Sequence, residues 1–498
     1  MTAQGSGNAR INGLVTGGGL FLQQILGFVS GLYVAMLLGP ANYGEVSVLR
    51  SLLQLVIVVS PLGLDLAIYK ILPAFDATPR LKLLHVTRFR IIIFASCMLM
   101  AIGGSTIIGP ILQNYVYSYK NFELHFALTV LAVPFATDLV LLTSYCRVEG
   151  RIVPIMLLTY YLQPILRTSF SIIAVLLGWG VLGVVIGTAC AYLASFLAAQ
   201  IYRALDERHH APAAAEPAPL PGWRESWRLF LQAPSMALNL FAYNVMRSAD
   251  LVIVAAMVPA QAVGEYAVVS NISQLVPVAA ISLSQTLGPT ISRHFHAGET
   301  HKIAGDMNHY IRWASIISSF VMGGIATFGG HLDVLFGPKY HPEAAILVLI
   351  PLGYLVSATL APTGYSLTMC GKARQELAIL ATSSAGLVFL CLVLTHFFGT
   401  VGAASAVLIA FVGGDVARLL AVNRSLGVAL GHWSDLLPPV VAIALGAICN
   451  NMLVPAHPSF IGLVLGCFAY LTAYVLVFGI AFMARRRWPR SSEVVPAQ

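Results

Sequence analysis

Fourteen apolar runs, the first at 13–38 and the last at 459–484, follow one another along this chain with short polar connections between them. Each is long enough to cross about 30 Å of hydrocarbon as a helix, which takes roughly 20 residues. No connection is long enough to build a sizeable soluble domain. Hydrophobic residues make up 58% of the chain and charged ones only 10%, well under the roughly 25% charged residues of a soluble domain. The expected fold is an all-α polytopic membrane protein of about 14 transmembrane helices.

Lysine and arginine collect in cytoplasmic loops, which fixes orientation. With the amino terminus inside, only Lys120 and Lys339 fall in loops on the opposite side, and Arg50, Arg167 and Arg247 remain within spans. The chain is therefore read as N-in and C-in. The net charge of +8 is mostly this bias and does not argue for nucleic acid. The first run is too long for a cleavable signal and is expected to stay. All seven cysteines lie in or at the ends of apolar runs, with no CxxC spacing, so they read as small packing residues.

The Ala/Pro-rich stretch "DERHHAPAAAEPAPLPGW", Asp206 to Trp223, cannot pack a core and divides six spans from eight. Offset by 220 positions the two sides match, with Val34–Val56 over Val254–Val276, including Gly44-Glu45 over Gly264-Glu265 and Gln54 over Gln274. An even-numbered unit enters the membrane the same way twice, so these are parallel repeats with an axis along the membrane normal and a central cavity between them. The organisation expected is an amino-terminal six-helix bundle at 1–205, a cytoplasmic linker at 206–226, a second six-helix bundle at 227–425, and two extra helices with a basic tail at 426–498.

Charge inside a span costs at least about 2.5–3.5 kcal/mol per residue, so its placement is informative. At 100° per residue, Asn239, Tyr243, Arg247 and Asp250 fall within about 80° on one helix face. Arg50, Gln54 and Asp65 fall within about 60°, Tyr160, Gln163, Arg167 and Ser171 within about 80°, and Asn271, Gln274, Ser282 and Gln285 within about 80°. Such stripes cannot face lipid and predict a hydrated chamber lined from both halves. The competing reading of span seven is that Arg247 and Asp250 pair with each other at i,i+3. Three arginines against Asp65 and Asp250 leave the chamber cationic, with Lys70 near its mouth. A guanidinium fork in low dielectric suits phosphate or carboxylate. The candidate substrate-binding residues are Arg50, Gln54, Gln163, Arg167, Asn239, Tyr243, Arg247, Asn271 and Gln274. Asp65, Asp138, Asp250 and Asp415 are the candidates for coupling to H⁺ or Na⁺.

Enzyme signatures are absent: there is no HExxH, P-loop, GxSxG or GxGxxG in a credible setting, and no catalytic residue, cofactor or metal site is expected. "HFHAGETHKIAGDMNHY" reads as a solvated cytoplasmic connector rather than a metal site.

The stretch "GFVSGLYVAMLLGPANYGEVSVLRSLLQLVIVVSPLGLDLAIYKILP", together with "RSADLVIVAAMVPAQAVGEYAVVSNISQLV", resembles Wzx-type polysaccharide transporters of the multidrug/oligosaccharidyl-lipid/polysaccharide exporter superfamily. The resemblance covers most of the chain through the twelfth span. It implies a flippase that moves undecaprenyl-pyrophosphate-linked oligosaccharide from the cytoplasmic to the periplasmic leaflet of a bacterial inner membrane, serving exopolysaccharide, capsule or O-antigen assembly. It also implies membrane lipids, and a polymerase and export machinery, as partners. Alternatives are a lipid II-type flippase, a multidrug antiporter of the same fold and, from another class, a membrane glycan polymerase or acyltransferase. The last needs substantial catalytic loops, and the longest connection on the periplasmic side lies near "QNYVYSYKNFE".

Overall fold

The computed structural model describes residues 3–75, 78–150, 152–209, 223–231, 234–427, 430, 437–455 and 458–487. No strand occurs among them, and helix lies along every one of the fourteen apolar segments. By length and hydropathy alone, nine helices among the described residues qualify to cross a membrane, so that measure does not reach fourteen. The shortfall has local causes. Leu22–Leu38 and Leu437–Leu453 are apolar but short. The helix Ala373–Leu426 is two helices joined across Gly399. The run at 153–177 contains a π-helical turn, Leu157–Leu162, and that at 265–290 is interrupted by a turn at 274–277.

Glycine sets the two sharpest breaks. The helix Ala3–Val59 is broken at Gly39 (φ 74°, ψ 170°) and Ala373–Leu426 at Gly399 (φ 57°, ψ −137°). Both lie in regions that a Cβ makes costly.

The two sides of the linker meet along Pro40–Val59 and Ala260–Ser273. A Cβ built on Gly264 would stand 1.9 Å from the carbonyl oxygen of Pro40, and one on Gly44 3.0 Å from that of Ala260. Backbone therefore touches backbone, the arrangement small residues permit between membrane helices.

The linker expected at 206–226 falls largely outside the described residues. Its ends continue the helix Gly180–His209 and open the helix Trp223–Phe230. The latter docks back on Pro79–Gly103: Arg88 donates to Ser226 at 3.2 Å and lies 4.9 Å over the Trp223 ring, and His85 Nδ1 is 2.9 Å from the same hydroxyl.

The last two helices, Leu437–Leu453 and Phe460–Arg487, pack on Thr300–Phe328. Tyr470 and Tyr474 donate to the carbonyls of Phe320 (2.9 Å) and Ile316 (2.7 Å), and Gly446 lies against Thr327.

Candidate functional site

Arg50 stands midway along Pro40–Val59, and Arg247 ten residues before the end of Pro234–Met257. At 1.5 Å per residue both lie about 15 Å from a helix end, near mid-membrane. With Arg167 they face one cavity of about 230 Å³ lined from both sides of the linker. Among the described residues none of the three arginines makes an ion pair. Arg247 Nη2 donates to Gln274 Oε1 at 3.1 Å, and its guanidinium carbon lies 5.9 Å from the Tyr243 ring centroid, a cation–π contact. Arg167 Nε is buried with no hydrogen-bond partner. Arg50 and Arg167 also form a wall shared with a second hollow of about 250 Å³ running toward Val184, Thr188 and Tyr192.

Arg247 and Asp250 do not pair with each other. Asp250, the one acid on the first cavity, accepts the Tyr266 hydroxyl at 2.8 Å. Three guanidiniums against one carboxylate leave the cavity cationic. Gln54, Asn271 and Gln274 complete its polar wall, with Asn271 donating to the Tyr43 hydroxyl at 3.0 Å.

A third cavity, of about 570 Å³, begins at Asn239, Tyr243 and Arg247 and runs between helices of the second half to Glu376, Asp415 and Arg418. Arg418 binds both acids there, at 2.6 Å to Asp415 and 3.0 Å to Glu376, and Asp415 Oδ2 is buried without a partner. This cavity is more apolar, walled by Leu240, Met246, Leu380 and Phe411 among others.

The structure separates some residues that regular helical phase had aligned. Gln163 and Ser171 are buried away from these cavities, and Tyr160 accepts from Arg147 at 2.9 Å. The π turn Leu157–Leu162 adds a residue's offset and turns Tyr160 out of register with Arg167, whereas Gln163 and Ser171 share the regular helix Gln163–Leu176 with Arg167 and are covered by packing. Asp65 leaves the face of Arg50 because the helix stops at Val59. A turn through Leu62 (φ 51°) and Gly63 (φ 78°) then restarts it at Leu64. The side chains of Ser282, Gln285 and Lys70 lie outside the described residues. Asp138 is held by both arms of Arg90, at 2.8 and 2.6 Å, and by Gln200 at 2.8 Å, away from every cavity described above. The partner Arg90 lies inside the span Leu81–Val116, so it joins Arg50, Arg167 and Arg247 as a membrane-embedded arginine.

Sequence reasoning missed Gln23, Gln24, Tyr43, Ser47 and Ser270 on the first cavity. Gln23-Gln24 interrupts an otherwise apolar run and was a legible signal. Glu376 was not legible, since its partner Arg418 is 42 residues away. Nor was the buried Glu45–His125 pair, 2.6 Å apart across 80 residues. In the histidine-rich connector His294 meets Glu299 at 2.8 Å and Asp306 at 3.5 Å. No group of three or more His, Cys, Asp or Glu able to hold a metal occurs among the described residues.

A family model described as "Polysaccharide biosynthesis protein" matches residues 10–295. No curated protein sequence matches the chain. Among solved structures, the lipid II flippase MurJ in an inward closed conformation superposes with a TM-score of 0.72 at 14% identity, covering 95% of this chain and 100% of that one. A multidrug resistance MATE family transporter of the MOP superfamily, inward-facing, gives 0.62 at 13% identity, covering 83% and 98%. The Vibrio cholerae MATE transporter VcmN in its bent form gives 0.53 at 16% identity, covering 86% and 99%. The fold is that of these transporters.

Proposed function

Since the chain belongs to the polysaccharide biosynthesis protein family, we propose that it is a flippase that carries an isoprenyl-pyrophosphate-linked oligosaccharide from the cytoplasmic to the periplasmic leaflet of a bacterial inner membrane. The observation that carries this reading is the meeting of Arg50, Arg167 and Arg247, none ion-paired among the described residues, on one mid-membrane cavity. A diphosphate diester brings two negative charges and many acceptor oxygens to such a site, and charge-assisted bonds to guanidinium are the strong ones. Gln54, Asn271, Gln274 and Ser270 supply amides and a hydroxyl suited to the adjoining sugars. The N-in, C-in orientation, and delivery of the product to a polymerase and export machinery, belong to the same proposal.

Coupling to H⁺ or Na⁺ is assigned to Asp250 and Asp415, the two candidate acids that line cavities. Asp138 is better explained as the structural partner of Arg90. The lipid II flippase likeness supports the transport of a polyprenyl-linked substrate. An antiporter of organic cations fits less well, because a surplus of guanidinium repels the cation it would have to admit.

The test is complementation of a strain lacking the protein, with lipid-linked repeat units quantified by leaflet. Arg247→Glu at normal membrane abundance is expected to abolish export and strand repeat units on the cytoplasmic face. Unchanged export would overturn the reading.

A further inference from the structure

The helix Trp223–Phe230 carries a largely apolar arc wider than the packing it receives. At 100° per residue Ser226, Phe230, Trp223, Trp227 and Leu231 follow one another round about 140° of its circumference. Leu231 still belongs to the coil, since its N–H donates to the Trp227 carbonyl at 3.0 Å. The first part of the arc is used: Ser226 and Phe230 are buried, and the Ser226 hydroxyl meets Arg88 and His85. The rest is bare. Trp223, Trp227 and Leu231 are 55%, 48% and 59% exposed, and Arg228, also exposed, borders that strip on its far side.

The strip stands at the edge of the hydrocarbon. Arg88, whose guanidinium carbon lies 4.9 Å from the Trp223 ring centroid, is seven residues inside the span Leu81–Val116, about 10 Å from its end. The outward surface of that span turns apolar within the next turn, at the exposed Ile91. Tryptophan at this level has its ring on the acyl side of the boundary and its N–H on the polar side.

We propose that Trp223–Phe230 is an interfacial anchor on an anionic leaflet. It lies along the membrane plane, with Trp223, Trp227 and Leu231 seated among the ends of the acyl chains and Arg228 holding anionic lipid headgroups beside them. A helix apolar on one side and cationic next to it takes this position, and each arginine near an anionic surface raises partitioning about fivefold. In the N-in orientation the leaflet is the cytoplasmic one. Leu231 comes three residues before the helix Pro234–Met257, so the anchor sets the depth at which the helix of Arg247 enters the membrane.

The anchor asks nothing of the substrate, so it and the transport proposed above can fail separately. The full chain, with Trp179, Trp313, Trp433 and Trp488 replaced by phenylalanine, is placed in bilayer discs of phosphatidylcholine with and without phosphatidylglycerol. Emission from Trp223 and Trp227 is followed against aqueous acrylamide and against lipids brominated near the headgroup. Brominated lipid is expected to cut that emission at least about twofold, acrylamide to act little, and phosphatidylglycerol to strengthen the first effect. Arg228→Glu should cancel the gain from phosphatidylglycerol and leave the melting temperature unchanged. Rings open to acrylamide, as on a face kept for a soluble protein, would overturn the proposal, and so would brominated-lipid quenching that is the same with and without phosphatidylglycerol. Should the tryptophan replacements not fold, a nitroxide on Leu231→Cys decides, in a chain whose exposed Cys190 and Cys467 are alanine: relaxation by water-soluble nickel outpacing that by oxygen sinks it.

Discussion

Arg90 and Arg167 both lie in the membrane, yet their surroundings differ. Arg90 has a carboxylate on both arms and an amide completing the acid's shell, so its burial is compensated. Removing one partner of such a pair leaves a bare buried charge, costing about 3–5 kcal/mol. Asp138→Ala is therefore expected to lower stability by that order in detergent unfolding and to reduce membrane abundance. Arg167 has no such partner, and two cavities meet at its guanidinium. Arg167→Ala is expected to reduce export at least about tenfold with abundance retained. Arg312→Ala, exposed on Thr300–Phe328 and lining none of these cavities, should leave export near normal. Equal losses in a complementation assay would contradict the assignment of the chamber.

At the scale of elements, breaks in helices decide which stripes survive. Pro234–Met257 runs unbroken and keeps Asn239, Tyr243, Arg247 and Asp250 on cavity walls, as phase requires. Where a π turn or a glycine break intervenes, residues on its two sides fall out of phase, as Tyr160 does with Arg167 and Asp65 with Arg50. Gly39 is a break that only glycine accepts, and Gly39→Ala should cost about 1–3 kcal/mol, read as a lower melting temperature. The connector at 294–306 is held by charge: Lys302 first, then His294, keep the Glu299 carboxyl below its ordinary range. A depressed acid stabilises the folded form above its unfolded pKa and loses that contribution as pH falls through the folded one. Hydrogen exchange across the connector should accordingly quicken in acid below the usual carboxylate range, and Glu299→Gln should remove that dependence.

Across the whole molecule the cavities fall between or within the two sides of the linker, while the last two helices stand apart on Thr300–Phe328. Replacing Tyr470 and Tyr474 together by phenylalanine deletes two bonds to backbone carbonyls. It should cost roughly 1–3 kcal/mol and leave export unchanged, as thermal unfolding and complementation would check. Hydropathy, the lysine and arginine bias and the 220-residue echo were enough to read an all-helical membrane chain with an internal duplication and a cationic interior. Arg50, Arg167 and Arg247 could be singled out because lipid forbids an unpartnered charge, a rule that acts on each span by itself. Which arginine finds an acid, as Arg90 does across 48 residues, and which phase slips at a π turn are decided by long-range packing and by local winding. Neither leaves a periodic trace in the sequence, so the Gly44–Gly264 crossing and the partners of the buried charges emerge only once the helices are assembled.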